Sequence, residues 1–302
     1  MKRRDFIIKT SAATALTLTG VGLSSFTSKT TKKITILHTN DTHSHLDIFS
    51  ATDPRFPNQG GAARRATLFN EIKKENPHTL IFDAGDMFQG TPYFNYYGGE
   101  LEIKIMNKLQ YNAATIGNHE FDNGVNSLAE QLGKADFDII ASNYDFTNTL
   151  MNGLTKPYKV YIKNDVKIGV FGLGIQLAGL VNKSEYGETI WHHPIEIAQD
   201  MTRILKEDLK CDIIICLSHL GYQYASSETV SDLVLAAQTK NIDLIIGGHT
   251  HTFLDQPTIV LNQDNKEVIV NQVGCFGVRV GQIDFYIDQF KNKRTVSKVI
   301  TV

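Results

Sequence analysis

Cysteine is scarce in this sequence. The 302 residues include three, Cys211, Cys216 and Cys275, too few for a disulfide framework. Two of them border or lie within the apolar run "CDIIICLSHL" and read as core residues rather than metal ligands. A dominant charge is also missing. The formal net charge is −2 and no block of like charge stands out, which argues against a nucleic acid polymer as partner. No internal repeat, low-complexity tract or Pro/Gly linker divides residues 33–302, so they read as one domain. A long, strongly apolar run is lacking too. What is present is 42% hydrophobic and 21% charged, the composition of a soluble globular chain.

Residues 1–28 differ from the rest. "MKRRDFIIKT" is basic, and residues 10–28 carry no charge. A basic stretch followed by a mild apolar one has the form of an export signal. Arg3 and Arg4, followed by Asp5, Phe6 and Ile7, resemble a twin-arginine signal. A retained anchor is the alternative, but a membrane span needs ~20 strongly apolar residues and this run is Thr- and Gly-rich. The expectation is therefore a cleaved signal, a mildly acidic mature chain without a stable membrane span, and a periplasmic or extracellular location. With no clear A-x-A site, the position of the cut stays open.

Beyond residue 28, short apolar runs alternate with helical stretches. Strands are expected at 33–39, 79–86, 113–118, 137–143, 167–174, 211–219 and 242–248. Helices are expected at 60–76, 100–110, 124–135, 195–209 and 227–240. The tail changes character: "TIVLN", "KEVIVNQV" and "VGQIDFYID" are strand-like, with "NQDN" as a hairpin turn. The fold class is α/β with a strand-rich C-terminal portion.

The ends of these strands share one chemistry. The first runs into "HTNDTHSH" with Asp41 and His43, and the second into "DAGD" with Asp86. The third gives "GNHEFD" with Asn118, His119 and Asp122. Later strands end in "SHLG" with His219 and "GGHTH" with His249 and His251. In an open α/β sheet, ligands bind beyond the carboxyl ends of the strands. Five strands thus deliver acid, amide or imidazole groups to one rim. His, Asp and Asn without thiolate suit Zn, Mn or Fe. Seven candidates, Asp41, His43, Asp86, Asn118, His219, His249 and His251, exceed the roughly four to six donors of one ion but suit two divalent ions sharing a carboxylate. Paired ions clamp the attacking and leaving oxygens of a phosphoryl displacement.

"ILHTNDTH", "DAGD", "GNHEFD", "SHLG" and "GGHTH", in this order, resemble the calcineurin-like metallophosphoesterases, and more narrowly the catalytic domain of the 5′-nucleotidase / UDP-sugar hydrolase group. "GGAARRATL" and "QVGCFGVRVGQIDF" resemble that group as well. The resemblance covers about residues 33–288 and implies a four-layer α/β/β/α sandwich. It implies that Asp41, His43 and His251 bind one metal, that Asn118, His219 and His249 bind the other, and that Asp86 bridges. It implies hydrolysis of phosphate esters, 5′-nucleotides or related nucleotides, by a metal-bridging hydroxide. His119 would stabilise the transferring phosphoryl group or protonate the leaving oxygen, held in place by Asp122. Full-length members of the group carry a second domain that binds the nucleoside, and the sequence stops at Val302. Either a separate polypeptide supplies that domain, which is the expected partner, or this domain alone recognises the substrate. A phosphodiesterase or nucleotide-sugar diphosphatase, and a catalytically inactive metal-binding scaffold, remain open as alternatives.

Other polar residues near the motifs have plainer readings. His45 is expected behind the ligands or on the surface, and Asp83 is expected to hydrogen-bond the rim backbone. Glu120 reads as structural, and His38 as a satisfied core group or one that supports the ligands from behind. Arg64 and Arg65 read as a solvated or ion-paired helix face. Tyr93, Phe94, Tyr96 and Tyr97 read as core packing.

Overall fold

Ile34, Ile36, Leu80 and Phe82 share an apolar cluster with Ile213, Ile215, Leu217, Leu244 and Ile246. Their odd or even spacing within each run is the period of an extended strand, and the cluster they form is the seam between two sheets. The computed structural model describes residues 31–226 and 229–302; the expected export signal at 1–28 lies outside them. Residues Thr31–Val302 form one compact unit.

Among the described residues fourteen strands follow one another: β1 (Lys32–Thr39), β2 (Thr79–Asp83), β3 (Ala113–Ala114), β4 (Asp138–Ile139), β5 (Tyr144–Asp145), β6 (Tyr158–Lys163), β7 (Val166–Gly174), β8 (Ile190–Trp191), β9 (Ile213–His219), β10 (Leu244–Gly247), β11 (Thr258–Leu261), β12 (Glu267–Asn271), β13 (Arg279–Ile287) and β14 (Lys293–Thr301). The α-helices are α1 (Ala62–Glu75), α2 (Pro92–Tyr97), α3 (Glu100–Leu109), α4 (Gly124–Leu132), α5 (Lys183–Tyr186), α6 (Pro194–Arg203) and α7 (Asp232–Gln238). One sheet runs β14-β13-β1-β2-β3-β4 and the other β11-β12-β10-β9-β7-β6. Each has a parallel centre with antiparallel strands at an edge. β5 and β8 pair separately.

The opposite faces of the sheets take the helices. Leu37 and Ile81 pack with Phe69 and Ile72 of α1, Ile103 and Met106 of α3, and Leu128 and Leu132 of α4. Ile214, Cys216 and Ile245 pack with Ala198 of α6 and Leu235 and Ala236 of α7. The result is the expected α/β/β/α layering. The parallel strands β1, β2, β3, β7, β9 and β10 all point their carboxyl ends to one rim, because every crossover helix returns the chain to the same starting side.

Several boundaries differ from the sequence reading. The strand expected at 113–118 narrows to β3, since the chain turns at once into the Gly117 loop. The helix expected at 195–209 becomes α6 followed by a π-helical turn at Ile204–Asp208. The helix expected at 227–240 is α7, opened by Ser231, whose side chain accepts a hydrogen bond from the Val234 amide. The "NQDN" turn does join β11 to β12, with Asn262 Oδ1 accepting from the Asp264 and Lys266 amides. β14 has no counterpart among the expected strands: its "KRTVSKVIT" sequence keeps half its residues in water on an edge, so its apolar signal is weak.

Candidate metal centre

The rim collects the strand-end residues. Asp41 and His43 follow β1, Asp86 follows β2, Asn118 and His119 follow β3, His219 ends β9, and His249 and His251 follow β10. Asp41, His43 and His251 offer ligand atoms within 4.8 Å of one another, and so do Asp86, His219 and His249. In the first group His43 Nε2 is 3.0 Å from His251 Nε2, and His251 Nε2 is 3.3 Å from Asp41 Oδ1. In the second, His219 Nε2 is 3.0 Å from Asp86 Oδ2. Asn118 Oδ1 joins that group, 2.8 Å from His249 Nδ1. Asp86 Oδ2 is also 3.9 Å from His43 Nε2, so one carboxylate oxygen stands between the two groups.

The donor atoms fit metal ions. His219 Nδ1 lies 2.7 Å from the Ala84 carbonyl, which sets the proton on Nδ1 and leaves Nε2 as the lone-pair nitrogen. Nε2 is buried and makes no hydrogen bond, although it faces Asp86. His43 repeats the pattern, with Nδ1 3.1 Å from the Phe88 carbonyl and Nε2 turned to the centre. Two lone-pair atoms 3.0 Å apart repel unless something positive lies between them, a proton or a cation. Ligands about 2.0–2.2 Å from a shared ion sit at roughly such mutual distances. The side chains of Asp41 and His219 are fully buried and that of Asp86 nearly so, and buried carboxylates require a compensating charge.

The electrostatics agree. Burial works against the charge of Asp86, but His219 and then His43 hold its carboxyl well below the usual range. His219 rises to about 10 against its own burial because Asp86 faces it. His251 also rises to about 10, through Asp41 and then Cys275. His249 falls to about 4, pushed down by burial and by neighbouring His219. His43 is lowered by burial. Asp86 and Asp41 thus draw positive charge to the imidazoles that face them.

The backbone is bent to make this cage. Asp41, His43, Asp86, His249 and His251 all have positive φ, from 45° to 72°, a region that costs a non-glycine residue of order 1 kcal/mol or more. Cross-loop hydrogen bonds hold them there: Asp41 N to Gly85 O at 2.9 Å, His43 N to Asp86 O at 3.0 Å, and His249 N to Asp41 Oδ1 at 2.9 Å. Gly117 is required by crowding, since a Cβ there would lie 2.2 Å from Asp86 Oδ1.

His119 stands beside the cage. Its Nδ1 is 2.8 Å from Asp122 Oδ2, its ring centre is 5.3 Å from that of His43, and its amide donates to Asp86 Oδ1. The Asp122 contact raises its pKa, against the pull of burial. Both side chains of the dyad are about one-third exposed, so the dyad borders solvent where the buried ligands do not.

The plainer readings divide. Asp83 accepts from the Gly85 amide and the Thr39 hydroxyl, as expected. His45 contacts the His43 carbonyl through Nδ1 at 2.8 Å. His38 is buried with Nε2 2.9 Å from Asn271 Nδ2 but with Nδ1 unpartnered, and burial lowers its pKa to about 3. Arg65 departs from expectation. It is buried, with Nε and Nη1 unpartnered, because α1 turns that residue inward over Gly277; Arg64 is exposed and donates to the Asn58 carbonyl. Of the aromatic run, Phe94 is buried while Tyr96 and Tyr97 are exposed, since α2 is too short to bury more than one face. Two positioning groups carried no functional signal in the sequence. Glu120 accepts four backbone amides, from Asp86, Met87, Phe88 and Gly117; burial raises its pKa to about 7. Asn40 donates to Asp41 Oδ2 and to the Gly274 carbonyl.

Comparison with known proteins agrees with this geometry. Residues 34–253 match the family model described as calcineurin-like phosphoesterase. The chain is 34% identical over 289 residues to the trifunctional nucleotide phosphoesterase YfkN of Bacillus subtilis, covering 85% of this chain and 18% of that protein. It is 33% identical over 281 residues to the 5′-nucleotidase of Bos taurus, covering 86% of this chain and 47% of the relative. The crystal structure of a 5′-nucleotidase precursor from Thermus thermophilus superposes with a TM-score of 0.80 at 33% identity, covering 90% of this chain and 55% of that one. That of YfkN gives 0.71 at 25% identity, covering 90% and 91%. The chain therefore spans about half the length of the 5′-nucleotidases it matches. The family match over most of the chain and the paired donor groups on the strand-end rim lead to one assignment: the chain belongs to the calcineurin-like phosphoesterase family.

Proposed function

We propose that the chain is a metal-dependent hydrolase of phosphate esters, with 5′-nucleotides or related nucleotides as substrates. The single observation that carries this reading is Asp86 Oδ2, placed between His219 and His43 with the His119–Asp122 pair alongside. In this reading Asp41, His43 and His251 hold one divalent ion, Asn118, His219 and His249 hold the other, and Asp86 serves both. When bound, such ions activate water and offset the charge of the phosphoryl oxygens; Zn, Mn or Fe suit the N/O donors.

The chain's own groups do the rest. Asp122 takes the Nδ1 proton of His119 as a hydrogen bond, so Nε2 is the nitrogen that meets substrate. In the protonated form that Asp122 favours, Nε2 donates to a phosphoryl oxygen or to the leaving oxygen. Glu120 and Asn40 keep the ligand loops in register. We assign residues 33–302 to one catalytic unit and residues 1–28 to a twin-arginine-like export signal, which places the protein in the periplasm or outside the cell. Among the described residues no helix is long and apolar enough to cross a membrane.

The test is a panel of AMP, a 2′,3′-cyclic nucleotide and UDP-glucose, given to metal-reconstituted protein with and without a chelator. The expected outcome is AMP turnover that the chelator abolishes. Absence of turnover on all three, or turnover indifferent to the chelator, overturns the reading. A preference for the cyclic ester or the nucleotide sugar moves the chain to a diesterase or diphosphatase, a breadth in keeping with the trifunctional name of the YfkN relative.

A further inference from the structure

Arg65 and Glu102 occupy positions that the helix pattern reserves for apolar side chains. In α1, Arg65 shares a buried stripe with Phe69 and Ile72. In α3, Glu102 shares one with Met106 and Leu109. Both sets follow the i, i+4, i+7 spacing of a single helix face. Arg65 and Glu102 are each only 3% exposed. Arg65 Nε and Nη1 and both carboxylate oxygens of Glu102 have no hydrogen-bond partner among the described residues. A lone charge taken out of water is strongly unfavourable, whereas two opposite charges joined by hydrogen bonds offset much of that cost.

The two side chains line one small cavity, together with Thr42, Asp83, Met87 and Tyr111. Its volume is about 10 Å³, room for a single water among polar groups. This cavity lies behind the ligand loops. Thr42 stands between Asp41 and His43 in the chain, and Met87 follows Asp86. The two loops are tied by His43 N to Asp86 O and Ser44 N to Met87 O, both at 3.0 Å. Arg65 also packs on Gly277 so closely that a Cβ there would overlap Nη1. The neighbouring Phe276 amide donates to the Asp41 carbonyl at 2.7 Å. Arg65 thus reaches the Asp41–His43 loop by two routes, across the cavity and through residues 276–277.

Resting on the metal reading above, we propose that Arg65 and Glu102 are a positioning pair for the ion held by Asp41, His43 and His251, joined across this cavity by one enclosed water. Glu102 fixes the guanidinium, and the guanidinium fixes the backbone that supports Asp41. Neither side chain belongs to the donor groups, so the pair acts through the ligands, as outer partners of metal ligands do. A buried pair that serves stability alone is replaceable by apolar side chains. One that sets the place of a ligand is not.

Zn(II) alone, titrated into metal-stripped full-length protein against a competing chromophoric chelator, reads both ions without any substrate. Arg65→Met and Glu102→Leu are each expected to weaken the first ion about tenfold and the second by less than about twofold. In the double variant the loss at the first ion stays about tenfold instead of multiplying, because the link is already broken. Its urea midpoint returns toward wild type, since no buried charge is left alone. A His251→Ala background, which lacks a ligand of the first ion, identifies that ion: there Glu102→Leu leaves the remaining affinity unchanged. Wild-type affinity in the single variants, equal losses at both ions, or losses that multiply overturn the pair. Should the single variants not fold, the double variant decides: a selective tenfold loss supports the pair, and wild-type affinity or failure to fold overturns it. A wild-type protein that binds two ions but hydrolyses no phosphoester removes the phosphoester reading and leaves the pair standing. One that binds fewer than two ions removes both.

Discussion

His119 and Asp122 differ from the seven candidate ligands in a way one residue at a time can test. They pair with each other at 2.8 Å, and neither lies within the two donor groups. His119→Asn therefore removes proton transfer and charge stabilisation without removing a ligand. The expected loss in kcat is about 10²–10⁴-fold, with two metals per chain retained by elemental analysis. Loss of metal in parallel with activity would place His119 among the ligands instead. These two residues were legible in "NHEFD" because a His and an Asp three apart meet when the chain turns, and here it does so through a 3₁₀ turn at His119–Phe121. Arg65 was not legible. Two adjacent arginines opening a helix read alike in sequence, and only the position of Gly277 beneath one of them determines which is buried.

At the scale of elements, the loops after β2 and β3 behave as one piece. Glu120 joins them by accepting amides from Asp86, Met87 and Phe88 on one side and Gly117 on the other. Glu120→Gln replaces one acceptor oxygen with an amide that points hydrogens at hydrogens. The expected cost is about 2–3 kcal/mol of folding free energy, read by urea unfolding of chelator-treated protein so that metal binding does not contribute. The same variant should bind metal more weakly, since Asp86 loses its fixed backbone. A variant with wild-type stability would show that the four amides find other partners. Helix and strand identities were readable from apolar periodicity, as in β9, where Ile213, Ile215 and Leu217 face the seam and Ile214 and Cys216 face the helices. Their ends were not, because β3 runs directly into a loop whose Gly117 amide is taken by the Glu120 carboxylate, and α6 continues as a π turn, neither of which apolar periodicity encodes.

Across the whole molecule, two sheets and their helices exist at the cost of a strained rim. Five candidate ligand residues held at positive φ and a cluster of buried carboxylates are both unfavourable in the folded state. Divalent ions bound there favour the folded chain by mass action. Chelation is expected to lower Tm by roughly 10 °C, with recovery on adding Zn or Mn back. In Asp86→Asn, where the shared carboxylate is gone, the chelator-induced shift should shrink to a small fraction of that value. An equal Tm with and without chelator in the wild type would show that the cage binds no ion of consequence.

The sequence by itself determined the alternation of strands and helices and the chemistry at each strand end, because periodicity and residue type are local properties. It also made a metal the natural reading, since seven N and O donors recur after apolar runs. Which donors belong together was implied in sequence only by the family resemblance; physically it is tertiary structure that brings them together. His251 meets Asp41 and His43, and His249 meets Asp86 and His219, although the two histidines are two residues apart and their partners lie far away in the chain. That pairing follows from the order of strands in two facing sheets. So does the clamp made by Glu120, because it requires segments whose proximity no short stretch of sequence can specify.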